Sequence, residues 1–167
     1  MFNRIIIENK QNNRVFMLFP SLNDVENDKV IKKICEILHI FSDSFYVRLT
    51  YKNGVSVLSG INGIELNKCI TESINKNITA TVFKADVPLF YEVAKQIDFD
   101  KVCLELIADN GKLLLKQAIC TQEENVDFIF VCADNDGPYL VFNAFEYDRH
   151  LIIERIKKII KNNLKQV

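Results

Sequence analysis

The chain has no tryptophan, two histidines, two methionines, three prolines and five glycines among its 167 residues. Only His39 and His150 are available and neither stands out, so no Cys-His or Ser-His-Asp assignment for nucleophilic catalysis can be argued. The few glycines form neither a P-loop nor a GxGxxG fingerprint, so phosphate and dinucleotide cradles of those kinds are excluded. No Gly/Ser/Pro-rich linker divides the chain. The five cysteines (35, 69, 103, 120 and 132) are odd in number and no two are close, which argues against a disulfide framework and a CxxC site. They are expected to be buried free thiols in a reducing compartment. No run approaches the ~18 apolar residues of a membrane helix. The three isoleucines after Arg4 are too short for a signal-peptide core. A cytoplasmic protein with no membrane span is expected.

What is present is ordinary for a globular protein: 49% hydrophobic residues, 26% charged, and twelve phenylalanines. A chain of this length buries roughly 70% of its unfolded surface and needs no metal or disulfide to fold. The expectation is one domain over residues 1–167, with a soft internal boundary near Lys84, and a core of Phe, Ile, Leu and Val.

Hydrophobic periodicity supplies the elements. Arg4–Glu8 and Arg14–Phe19 read as strands around a polar turn. Ser21 and Asp24 open a helix whose Val30, Ile31, Ile34, Leu38 and Phe41 share one face. Phe45–Tyr51 and Val55–Ser59 flank Asn53-Gly54, a type I′ signal, and predict a hairpin. Asn62 and Glu65 are read as capping a short helix through Leu66, Cys69, Ile70 and Ile74. Ile78–Lys84 alternates as a strand. Asp86 and Pro88 mark a helix start, with Leu89, Phe90, Val93, Ala94 and Ile97 on its apolar face.

Lys101–Ala108 and Lys112–Ile119 predict a second hairpin around Asp109-Asn110-Gly111. Phe128–Ala133 and Tyr139–Phe145 predict a third around Asp134-Asn135-Asp136-Gly137. That last pair is apolar on both faces, as in the middle of a covered sheet. The chain closes with an amphipathic helix from Asp148, its stripe formed by Ile152, Ile153, Ile156, Ile160 and Leu164. The fold class is therefore α+β: an antiparallel sheet built from hairpins with packed helices, including the C-terminal one.

Motifs with chemistry are sparse. Ser73-Ile74-Asn75-Lys76 matches SxxK, but the SDN and KTG partners are missing, and the expectation is a polar helix end. Gly54-Val55-Ser56-Val57-Leu58 lacks the last glycine of a nucleophile elbow. Asp134-Asn135-Asp136-Gly137 fails the calcium-loop register and reads as a tight turn. Glu146, Asp148 and His150 would share one face of an extended chain and could hold Mn²⁺ or Fe²⁺. If Asp148 caps the final helix, that face is lost. No cofactor or resident metal is expected.

The outward-pointing feature is sorted charge. Residues 1–84 carry 11 basic and 8 acidic side chains, a net of +3; residues 85–148 carry 4 and 13, a net of −9; residues 149–167 carry 6 and 1, a net of +5. Such a field bears on partners and association rates. The basic tail could contact phosphates, but its aliphatic stripe points to docking on the sheet, so nucleic-acid binding is not expected.

The acidic middle suits a basic protein. Asp98, Asp100, Glu123, Glu124, Asp127, Asp134 and Asp136 are the candidate partner-binding residues. Strand order places the 97–101, 120–127 and 145–148 connections at one end of the sheet, and 109–111 and 134–137 at the other. The expected function is a non-enzymatic inhibitor of bacterial immunity-protein or antitoxin type, binding a basic partner such as a nuclease toxin. The alternatives are an acidic homodimeric chaperone or adaptor and, less favoured, a small metal-dependent enzyme.

Overall fold

In the computed structural model, the described residues are 6–11, 13–18, 27–55, 61–108, 112–132, 139–144 and 147–164. Eight strands among them form one antiparallel sheet: β1 Ile6–Lys10, β2 Arg14–Leu18, β3 Ser44–Lys52, β4 Ile70–Ser73, β5 Ile78–Asp86, β6 Val102–Ala108, β7 Phe128–Cys132 and β8 Tyr139–Asn143. Their spatial order is β1-β2-β8-β7-β6-β3-β5-β4. Helices α1 (Asn27–Phe41), α2 (Val87–Ala94) and α4 (Arg149–Leu164) contribute to the core on one face. A short helix α3 (Leu115–Ala118) and its flanking segments cover part of the other face.

Strand alternation decides which residues meet which layer. On the helix face lie Val15 and Met17, Phe45, Val47 and Leu49, Leu104 and Leu106, Phe128 and Phe130, and Leu140 and Phe142, all buried. Ile31, Ile34, Leu38 and Phe41 of α1, Phe90 and Val93 of α2, and Ile152, Ile153, Ile156 and Ile160 of α4 close over them. On the second face Val82, Ile107, Ile129, Val131 and Val141 pack beneath Leu113, Ala118 and Ile119. Strands β7 and β8 are thus central and covered on both sides, as their unbroken apolar runs require.

The strand expected over Val55–Ser59 lies, beyond Val55, outside the described residues, and both edges of β3 are taken by β5 and β6. Asn53-Gly54 still turns the chain: Val55 N–H donates to Lys52 O at 3.2 Å, and Gly54 has φ +88°. Asn53 lacks the positive φ that type I′ demands at both central positions. Residues 56–60 lie outside the described residues.

The helix expected through Ile70 and Ile74 is instead a single 3₁₀ turn, 66–68, followed by β4, so the β-branched residues prevail. Lys112–Ile119 is not a strand. Both edges of β6 are taken by β3 and β7, and the apolar second face needs a cover. The segment crosses that face, burying Leu113, Ala118 and Ile119 and exposing Lys116 and Gln117.

An ion pair between buried Arg48 and half-buried Glu105 fastens this cover. Arg48 and Glu105 are cross-strand neighbours, and the guanidinium binds both carboxylate oxygens. Its remaining terminal nitrogen donates to Ala118 O at 3.0 Å and Thr121 O at 2.8 Å. Tyr46 Oη donates to Leu113 O at 2.7 Å. Two outward residues of β3 thereby satisfy carbonyls of a segment that has no ladder of its own.

The cysteines are more varied than expected. Cys35 is buried, Cys69 and Cys103 are half-buried, and Cys120 is exposed. Burial pushes the Cys35 thiol up to about 11, so it stays protonated at neutral pH.

Candidate acidic interface

Ser44, Asp86, Ala108, Phe128, Asn143 and Arg14 share one end of the sheet by register, which we term the upper end. Lys52, Ile78, Val102 and Tyr139 lie towards the lower end. Because 112–119 is not a strand, the chain returns to the upper end before β7. The 120–127 connection is therefore opposite the 97–101 connection, not beside it. It shares the upper end with the start of α4, where Tyr147 N–H donates to Asn143 O at 3.2 Å.

Four aromatic rings draw the connections together. Phe41 lies 4.6 Å from Phe128, 5.6 Å from Phe142 and 5.1 Å from Tyr147, measured between ring centroids. Aromatic packing of this kind is directional and contributes beyond its buried area. Three of the four rings are followed or preceded closely by an acid: Asp43 after Phe41, Asp127 before Phe128, Asp148 after Tyr147. Asp86 stands at the same end as the N-cap of α2, accepting from Leu89 N at 2.9 Å. Asp148 is the equivalent acceptor in α4, taking Leu151 N at 3.0 Å. Asp43, Asp86, Glu124 and Asp148 are exposed.

The candidate residues named from the sequence fare unequally. Glu123 is half-buried, its carboxylate 3.2 Å from Lys10 Nζ. Glu124 is exposed, and its carbonyl accepts from Arg14. Asp127 is buried, and its carbonyl accepts from Asn143 N at 2.9 Å. Arg14 also donates to Val126 O at 2.7 Å. The first hairpin therefore holds the 123–127 loop by two cationic side chains.

Asp98 and Asp100 are exposed at the lower end. There Asp98 Oδ1 accepts from Asp100 N at 3.0 Å, and its other oxygen is 3.9 Å from Lys101 Nζ. Asp134 and Asp136 lie outside the described residues. Asp43, Asp86 and Asp148 were not singled out as interface residues from sequence. The available signal was an acid at each helix boundary, two of them recognisable as caps.

The other sequence candidates find structural places. Ser73 ends β4, and its Oγ donates to Asn75 O at 2.8 Å in the β4–β5 turn, so the SxxK match sits in a hairpin and not at a helix end. His39 is exposed in the last turn of α1. Asp148 caps α4, which removes the extended-chain face it would share with exposed His150; Glu146 lies outside the described residues. Among the described residues no three His, Cys, Asp or Glu side chains converge as metal ligands. No helix among them is long and apolar enough to cross a membrane. Neither a protein-family model, nor a curated protein, nor a solved structure matches this chain.

Proposed function

We propose that the protein binds a basic protein through the upper end of its sheet and inhibits it, in the manner of an immunity protein or antitoxin facing a nuclease toxin. The observation that carries this reading is the packing of Phe41, Phe128, Phe142 and Tyr147, which gathers acid-bearing connections from separate parts of the chain. Exposed Asp43, Asp86, Glu124 and Asp148 then act as one negative surface. A nuclease offers the complement, a cationic cleft shaped for phosphate. Opposed potentials raise the association rate and fix orientation.

The test is a tagged pull-down from the native host with parallel low-salt and high-salt washes, repeated with D43N/E124Q/D148N. Asparagine keeps the cap at 148 while removing its charge. A stoichiometric basic partner, released by salt and missing from the variant, is the expected result. D98N/D100N, at the lower end, should bind as the parent does. Absence of any basic partner at low salt, in a host expressing one, or full binding by the triple variant, would overturn the reading. A second reading, an acidic homodimeric adaptor, draws on exposed Ile6 at the sheet edge.

A further inference from the structure

Asparagine followed by glycine occurs at 53–54, 62–63 and 110–111. Asparagine is a thermolabile side chain. A following glycine exposes it most, because without a Cβ the glycine amide can approach the asparagine Cγ. Asn110 and Gly111 lie outside the described residues. The other two pairs share what the reaction needs. Asn53, Gly54, Asn62 and Gly63 are all exposed. Both glycines have positive φ, +88° and +95°. Among the described residues neither glycine N–H donates a hydrogen bond.

The two carboxamides differ. Asn53 is clamped to the β4–β5 turn: its Nδ2 donates to Lys76 O at 2.7 Å, and its Oδ1 accepts from Thr79 Oγ1. Its backbone N–H donates to Asn77 O at 2.8 Å. Asn62 has no such clamp, and no hydrogen bond engages its carboxamide among the described residues. Its backbone is met by Gln96, whose Oε1 accepts from Asn62 N at 3.1 Å and whose Nε2 donates to Asn62 O at 3.3 Å. The same Nε2 donates to Glu92 O at 2.8 Å, the shorter bond, so the Asn62 carbonyl is lightly held. Ile61 and Ile64, on either side, pack on the core. A Cβ built on Gly63 would stand 3.4 Å from Leu89 Cδ1 of α2.

We propose that Asn62 is a site of spontaneous deamidation in the folded protein, and that the clamp on Asn53 protects the matching pair. The Gly63 amide nitrogen gives its proton to solvent and attacks Asn62 Cγ. A C–N bond forms and closes a succinimide ring, while the Cγ–Nδ2 bond breaks and ammonia leaves. Water then opens the ring at either carbonyl, leaving aspartate or isoaspartate at position 62. Nothing is oxidised or reduced. Isoaspartate runs the chain through the former side chain and adds a carbon to the backbone. The two groups of residue 62 that Gln96 brackets then fall out of register, and the 61–65 segment comes away from α2. At Asn53 two hydrogen bonds must break before the carboxamide can turn to its glycine, which slows that site about tenfold or more. The inference does not involve the acidic end, so either can fail alone.

Ageing of the full-length protein in mildly alkaline buffer tests it. Fragmentation mass spectrometry locates each amide-to-acid exchange, and an isoaspartyl methyltransferase labels isoaspartate. In urea Asn53 and Asn62 should react at similar rates. In the folded protein Asn62 should convert about tenfold or more faster than Asn53. Thr79→Val should speed Asn53 several-fold and leave Asn62 unchanged, whereas Thr79→Ser, which keeps the hydroxyl, should behave as the parent. Hydrogen exchange of 61–65 should rise in the aged parent but not in aged Asn62→Gln, whose longer side chain closes a ring far more slowly. Equal rates at the two sites in the folded protein, or an Asn62 that converts only in urea, would overturn the proposal whatever the variants do. So would a Thr79→Val protein, folded by circular dichroism, in which Asn53 is no faster, or unchanged exchange of 61–65 after conversion.

Discussion

Arg48 is where a single side chain does most to hold two layers together. It is buried, it pairs bidentately with Glu105, and it caps two carbonyls of the α3 segment. Removing one partner of such a pair leaves a buried charge uncompensated. Arg48→Met should therefore destabilise the fold by about 3–5 kcal/mol in urea unfolding. R48M/E105L should recover a large part of the loss, because no half-buried, unpaired carboxylate remains. If the single and double variants unfold at the same urea concentration, the pair is not coupled as described. The pair was legible in part: an arginine between Val47 and Leu49, and a glutamate between Leu104 and Leu106, stand out in apolar strands. That they face each other depends on the β3–β6 register, which links residues 57 apart along the chain.

At the scale of elements, the starts of α2 and α4 and the central strands followed local chemistry closely, whereas the first helix start expected at Ser21 and Asp24 lies outside the described residues. Asp86 and Pro88 open α2 where capping and the fixed proline φ require it. Asp86→Ala should cost about 1 kcal/mol in thermal or urea unfolding, and Asp86→Asn only a few tenths. Equal losses for the two would mean that the charge, and not the cap, matters there. Lys112–Ile119 departs from its expectation because it follows a good turn signal and was assigned to the strand before it. A turn specifies a reversal of direction, but a strand has two edges and both were already claimed by more distant segments. Likewise the stretch from Leu66 to Ile74 has helical spacing but β-branched side chains, and pairing of β4 with β5 decides it.

For the whole molecule, sheet order predicts where the fold opens. Strands β3, β6 and β7 are internal and covered on both faces, whereas β4 is short, exposed and paired on one side. Native-state hydrogen exchange should show β3 and β6 amides exchanging only through global unfolding, and β4 amides through local opening. Uniform protection of β4 and β3 would contradict the layering. The charge arrangement also belongs to this scale. The −9 of residues 85–148 is fixed by composition. Its division is not: Glu123, Glu124 and Asp127 are set at the upper end with Asp43, Asp86 and Asp148, and away from Asp98 and Asp100, once 112–119 crosses the face.

Sequence alone determined the α+β class, β7 and β8 as central strands, the capped starts of α2 and α4, and the apolar stripes of α1 and α4. These follow from periodicity and capping, which act over a few residues. Tertiary structure alone decided which strand edges were paired with which, which end each loop reached, and which of the described carboxylates are exposed, paired or buried. Those outcomes are a competition among distant segments for a limited number of edges and faces, and no local pattern encodes its result.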